Sequence, residues 1–245
     1  MLITGASSGL GERFARVAAA NGANVVLAAR RVDRLDGLQR ELEGCGARAI
    51  AVSMDVADEA STIAAYDRAE TAFGTIDSVV ANAGTNFEGP VLDLAVAEFD
   101  QLFAVNVRGV FLTAREGARR MMTHGSRERA HGRIVIISSV TAHHVAAGLA
   151  PYSASKAAVT QLGRVMARDW ANKGINVNMI CPGYVGTDIN YEWFAGDGGK
   201  KQIASFPRRR LMDAGALDAL LLYLASDASA QVTGSVFTVD DGQTL

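Results

Sequence analysis

Met1-Leu2-Ile3-Thr4-Gly5-Ala6-Ser7-Ser8-Gly9-Leu10-Gly11 opens the chain with three apolar residues and three glycines, and a run with helical periodicity follows. Glycines between a strand and a helix let backbone N–H groups come close to a bound anion, and the helix dipole favours its charge. Gly5, Gly9 and Gly11 are not spaced as the common GxGxxG turn, so taken alone they also fit a tight strand-to-helix connection. The first strand is abbreviated, with only three residues ahead of Thr4, and residues missing before Met1 are one reading of that shortness.

Outward from this turn, short apolar or β-branched runs recur at 24–29, 48–53, 76–81, 133–138, 175–180 and 235–239. Segments of helical periodicity separate them, at 9–21, 33–43, 59–73, 100–122, 152–172 and 213–225. The alternation predicts an α/β chain, 1–245, forming a single-domain Rossmann fold. Its doubly wound parallel sheet should have about seven strands, with helices on both faces. Residues 123–132 read as a polar surface loop, and 184–210 as an irregular segment expected to form a mobile substrate cover.

Composition narrows the function. Of the 245 residues 49% are hydrophobic and 20% charged, which permits a large core and argues against disorder. Net charge is −2 and the basic residues are scattered apart from Arg208-Arg209-Arg210, read as a solvated loop or helix-end feature, so no nucleic acid partner is expected. Cys45 and Cys181 lie far apart with no metal-ligand spacing, which suggests a reducing compartment and no metal. The apolar runs are too short to span a bilayer and no signal peptide is recognisable, so no membrane association and a cytoplasmic location are expected.

The second informative stretch is Pro151-Tyr152-Ser153-Ala154-Ser155-Lys156. Four residues apart on a helix, Tyr152 and Lys156 share a face, where an ammonium can favour the ionised phenol. With the glycine turn upstream, this pair points to nicotinamide-dependent carbonyl chemistry. The second predicted strand ends without a carboxylate and continues Arg30-Arg31, so a guanidinium is available for a 2′-phosphate and NADP(H) is preferred, with NAD(H) possible. Asp55 after the third strand is either an acceptor for the adenine amino group or a helix cap. Ser139 lies at the carboxyl end of a predicted strand, where such sheets place ligands, and Ser138 beside it should face the other way.

Thr4-Gly5-xxx-Gly9-x-Gly11, Asn82-Ala83-Gly84, Asn106-Val107-x-Gly109, Ser138-Ser139, Tyr152-xxx-Lys156 and Pro182-Gly183 leading to Thr187 occur in this order over nearly the whole chain. In this the sequence resembles the short-chain dehydrogenase/reductase family, including bacterial 3-oxoacyl thioester reductase-like and ketone or alcohol oxidoreductases. The resemblance implies hydride transfer between nicotinamide C4 and a ketone or secondary alcohol. Tyr152 would be the acid or base, Lys156 its activator and ribose ligand, Ser139 the hydroxyl on the substrate oxygen, and Asn106 a holder of water near the lysine.

The same resemblance assigns the cofactor to Gly5, Ser7, Ser8, Gly9, Leu10, Gly11, Arg30, Arg31, Asp55, Val56, Asn82, Ala83, Gly84, Tyr152, Lys156, Pro182, Gly183, Val185 and Thr187. Substrate contacts are expected from Ser139, His144, Leu149, Tyr152, Tyr184, Tyr191, Trp193 and Phe194, whose small neighbours suggest an apolar or aromatic carbonyl or alcohol. A homotetramer is expected, with a dimer next, and Asp241 stands where relatives often have a glycine. The alternatives are a 3-oxoacyl-thioester reductase and a nucleotide-binding regulatory protein without turnover.

Overall fold

The computed structural model describes residues 1–186 and 191–245; Thr187 and the three residues after it lie outside the described part, as does the Tyr191 side chain. Strands are β1 (Leu2–Thr4), β2 (Val25–Ala29), β3 (Ala49–Ser53), β4 (Ser78–Ala81), β5 (Gly132–Ile137), β6 (Ile175–Pro182) and β7 (Val236–Val239). Helices are α1 (Gly9–Ala20), α2 (Val32–Gly44), α3 (Glu59–Phe73), α4 (Val96–Phe103), α5 (Gly109–Thr123), α6 (Ser126–Arg129), α7 (Ala150–Trp170), α8 (Tyr191–Ala195), α9 (Asp197–Ser205) and α10 (Asp218–Leu224). All strands run parallel in the order β3-β2-β1-β4-β5-β6-β7, so the short β1 is central, paired on both sides.

Strand residues alternate between two apolar layers, as a pleated sheet covered on both faces requires. Leu2, Val26, Val79, Ile134 and Val177 pack under α3, α5 and α7 through Tyr66, Ala114, Met121 and Val159. Ile3, Leu27, Val80, Val135 and Ile180 pack under α1, α2 and α10 through Phe14, Leu35, Leu38 and Leu221. The winding reverses between β1 and β4, and the crevice a doubly wound sheet uses for ligands opens there.

The structure corrects the sequence reading in three places. The helix expected over 100–122 starts at Val96 and is interrupted by one π-helical turn, Ala104–Arg108, before α5 begins. Residues 123–132 include the one-turn α6, fixed by Ser126 Oγ donating to Lys173 O at 2.7 Å. Residues 184–210 contain α8 and α9 rather than an irregular loop. Gly198 and Gly199 lower helix propensity there, yet a Cβ on Gly199 would lie 2.2 Å from Trp193 O, so the missing side chains are what let the two helices pack.

Arg208 and Arg210 are exposed but not free: both pair with Asp241, at 3.2 and 2.7 Å. Asp241 has φ +54°, a left-handed backbone that a glycine would adopt with less strain.

Candidate active site

Thr4 ends β1 and staples the crevice. Its Oγ1 accepts from the backbone N–H groups of Asn82 and Ala83 at 3.0 and 3.1 Å, and its carbonyl accepts from Asn82 Nδ2 at 2.9 Å. Asn82 is thus a brace beneath the glycine turn. Gly5 has φ +69°, and a Cβ on it would lie 2.9 Å from Ala83 Cα. A Cβ on Gly11 would lie 2.3 Å from Gly5 O, so α1 meets the turn at backbone contact. Gly11→Ala should therefore cost about 1–3 kcal/mol through overpacking and loosen the turn. Thermal melts and nucleotide titration check this, and an unchanged melt with unchanged nucleotide affinity would show that α1 can shift to make room.

From this turn a cleft of about 1260 Å³ runs across the carboxyl ends of the strands. Of the residues assigned to the cofactor from sequence, Gly5, Ser7, Ser8, Gly9, Leu10, Arg30, Arg31, Asp55, Val56, Asn82, Ala83, Gly84, Tyr152, Lys156, Pro182, Gly183 and Val185 line it. Gly11 packs behind its wall and Thr187 lies outside the described residues. At the β2 end the two arginines separate. Arg31 Nη2 donates to Ser7 Oγ at 3.0 Å and Ser8 Oγ at 2.8 Å, so its guanidinium lies over the glycine turn. Arg30 is exposed on the cleft wall.

Asp55 faces the cleft with Oδ1 accepting from Ala57 N at 3.0 Å, while the cap of α3 is Asp58, which accepts from Ser61 N at 2.7 Å. The capping alternative for Asp55 is thereby corrected: the cap of α3 lies three residues later.

At the β5 end, Ser139, Tyr152 and Lys156 converge. Pro151 occupies the first turn of α7, where its missing N–H costs nothing, and its position sets Tyr152 at the cleft. The Tyr152 hydroxyl lies beside Ser139, close enough for the serine to lower the phenol's pKa. Ser139 Oγ in turn accepts from Thr141 N at 3.2 Å and Thr141 Oγ1 at 3.0 Å, which leaves the Ser139 proton to be donated elsewhere. Ser138 turns to α7, bonding Lys156 O at 3.0 Å and Thr160 Oγ1 at 2.7 Å, so the two serines do face different ways.

Lys156 is buried, with Nζ 5.4 Å from the centre of the Tyr152 ring and 2.9 Å from Ile137 O. Burial lowers the ammonium to about 8, partly opposed by Cys181. Burial also pushes the Tyr152 phenol up to about 12, against the lowering by Ser139. The loss of water around the phenol outweighs an ammonium that is itself poorly solvated and bonded to a carbonyl. In the protein by itself Tyr152 is a neutral hydroxyl, suited to giving a proton.

Asn106 sits in the π-helical turn and is fully buried. Its amide accepts from Thr85 N at 2.8 Å and donates to Thr85 O at 2.9 Å and Ser155 Oγ at 3.1 Å. It locks the segment after β4 to α7 one layer behind the cleft, and such inserted turns are frequent at functional sites.

Of the residues assigned to the substrate from sequence, His144, Leu149, Tyr184, Trp193 and Phe194 line the same cleft as Ser139 and Tyr152; the Tyr191 side chain is outside the described part. Tyr184 stacks on Phe206 at 5.5 Å and meets Phe194 edge-on at 6.0 Å. Gln243, unremarkable in the sequence, accepts from Tyr184 N at 2.6 Å and donates to Tyr184 O at 3.1 Å, so it holds this aromatic wall from the C-terminal turn. Thr141 and Glu88 fall in the stretches 140–150 and 85–89 that the sequence offers as cleft walls, whereas Gln243 is a site residue that sequence reasoning missed, because no local motif marks it.

The glycine cradle that a Cβ would fill, Arg31 over two serine hydroxyls and the buried ammonium together fit a nicotinamide dinucleotide: backbone donors and a guanidinium for phosphates, Lys156 for a ribose. Fold and cleft define a dinucleotide-dependent oxidoreductase. A family profile described as short chain dehydrogenase matches residues 1–198. Oxidoreductase UcpA of Salmonella typhimurium is 40% identical over 253 residues, covering 100% of this chain and 94% of that protein. Gluconate 5-dehydrogenase of Gluconobacter oxydans is 34% identical over 245 residues, covering 100% and 94%.

A solved gluconate 5-dehydrogenase from Burkholderia cenocepacia, in complex with NADP and tartrate, superposes with a TM-score of 0.92 at 34% identity over 99% of this chain and 94% of that one. The chain belongs to the short-chain dehydrogenase/reductase family. It is an oxidoreductase of the CH–OH/C=O couple with a nicotinamide cofactor.

Proposed function

We propose that the protein interconverts a ketone and a secondary alcohol with NADP(H) in preference to NAD(H), using Tyr152 as the proton-transferring group. The observation that carries this reading is the convergence of Ser139, Tyr152 and Lys156 at one end of a cleft whose other end is the glycine turn. When bound, the nicotinamide supplies or accepts hydride at the carbonyl carbon. Ser139, oriented by Thr141, donates to the substrate oxygen, and Tyr152 gives that oxygen its proton in reduction. In oxidation Tyr152 takes the proton back, with Lys156 offsetting the phenolate charge. Asn106 keeps Thr85 and Ser155 in register with this group.

Arg31 supports the NADP(H) preference. Arg31→Asp should weaken NADPH by roughly 10- to 100-fold and NADH far less, with Arg30→Asp showing a smaller effect of the same sign. Equal loss of both nucleotides on titration would reassign Arg31 to packing of the turn.

The aromatic wall supports an apolar or ring-containing substrate, and the segment 184–210 is read as its cover. Relatives named for sugar-derived and ring alcohols, such as cis-4-hydroxycyclohexanecarboxylate dehydrogenase of Sinomonas cyclohexanicum, are in keeping with a substrate of about that size. Exposed Leu92, Val96, Phe99 and Phe111 support a homotetramer, or a dimer next, that covers them. No helix among the described residues is long and apolar enough to cross a membrane. Initial rates with NADPH and NADH over aliphatic, cyclic, aromatic and acyl-thioester ketones test the reading; saturable nucleotide binding with no turnover of any of them would count against it.

A further inference from the structure

The charges around the substrate half are one-sided. Among the described residues lining the cleft, the only permanent cations are Arg30 and Arg31 at the nucleotide end and Lys156 at the centre. Arg31 is engaged by Ser7 and Ser8, and Lys156 is buried against Ile137 O. The four residues outside the described part, Thr187, Asp188, Ile189 and Asn190, include no lysine or arginine. Lys200 and Lys201 on α9 are exposed and do not line the cleft, and Arg208 and Arg210 are paired with Asp241. His144 is the remaining titratable base of the wall.

Two carboxylates line the cleft among the described residues, Asp55 at the nucleotide end and Glu88, which is exposed and belongs to the substrate half. Glu88 is held in place twice: Asn86 Nδ2 donates to Glu88 Oε1 at 2.9 Å, and the next residue, Gly89, donates its N–H to Gly148 O at 3.0 Å. The second bond ties the Glu88 loop to the 144–149 loop on the opposite side of the substrate half. The charge is felt inside: burial first, and the Glu88 carboxylate with it, raise the Tyr184 phenol, partly opposed by its bond to Gln202. The aromatic residues Tyr184, Trp193 and Phe206 of the wall carry no positive charge.

We propose that Glu88 is a specificity-determining residue that makes this site favour uncharged ketones and secondary alcohols over carboxylate-bearing ones. The inference rests on the ketone/alcohol reading above and adds a charge rule to it. A substrate carboxylate finds no free counter-ion and meets a fixed like charge, so discrimination comes from a repulsive element as much as from an attractive one. One unit charge at the mouth of such a cleft changes selectivity by about tenfold, and added salt reduces the effect.

The test compares methyl 4-oxocyclohexanecarboxylate with the free 4-oxocyclohexanecarboxylate, by NADPH oxidation and by calorimetric binding of each ring to the NADP-loaded Tyr152→Phe protein. The ester is expected to have at least a tenfold higher kcat/KM and to bind more tightly. The ratio should fall by about tenfold in Glu88→Gln, and should shrink in 0.5 M salt. Parity of the two rings, preference for the carboxylate, or a ratio unmoved in Glu88→Gln overturns the proposal. Binding in the expected ratio without turnover leaves the charge rule standing and rejects the reaction reading. Binding of neither ring overturns both.

Discussion

Tyr152→Phe lowers turnover by roughly 10²–10⁴-fold while the nucleotide still saturates the protein, the expected range for loss of a positioned proton donor. The ring keeps its place at the start of α7, because Pro151 and the apolar wall set it rather than the hydroxyl. Only the oxygen beside Ser139 is lost. Ser139 cannot substitute, since a serine hydroxyl that passes on its proton has no base to replenish it: its other contacts, Thr141 N and Oγ1, both donate. The measurement is kcat with the best ketone of the panel, beside nucleotide affinity by fluorescence. A variant retaining more than a tenth of wild-type turnover would place the proton source elsewhere.

Lys156→Met abolishes turnover to a similar degree and changes how stability responds to pH. In the nucleotide-free protein the ammonium is lowered from 10.5 to about 8, so between these values the unfolded chain holds a proton that the folded one has released. Stability of the wild type therefore rises with pH from about 8 towards 10.5, by up to about 3 kcal/mol, as the penalty of burying a charge is relieved. Tyr152 acts in the opposite sense above pH 10, since its folded value is raised to about 12. Burial likewise holds the Cys181 thiol above its ordinary value of 9.0, and this opposes the lysine in both proteins. Urea unfolding from pH 8 to 10 should therefore show wild-type stability rising relative to the variant, and parallel curves would mean that burial does not lower the Lys156 ammonium. A functional group that strains the fold is the usual arrangement at an active site.

Much of this was legible in the chain because it is written in short-range patterns. The glycine turn, the alternating strands and helices, and the Tyr152 and Lys156 pair each depend on neighbours within one turn or strand, and all appear where the residues indicate. What escaped depends on approach between distant segments. Arg31 rather than Arg30 reaches the turn because Ser7 and Ser8 lie above that particular residue. Gln243 acts across 59 positions on Tyr184, and Thr141 matters only because Ser139 has already been placed. The π-helical turn at Asn106 leaves no trace in a periodicity of 3.6, and two adjacent glycines concealed α9.

The Thr4 staple has a thermodynamic consequence. By holding Asn82 and Ala83 on the end of β1, it keeps the two diverging halves of the sheet at a fixed separation. The crevice has no collapsed form to be prised out of, so little chain entropy is surrendered when a dinucleotide arrives. Such ordering as a ligand induces is left to the far, aromatic side, where choice among substrates can change without disturbing the half that holds the coenzyme.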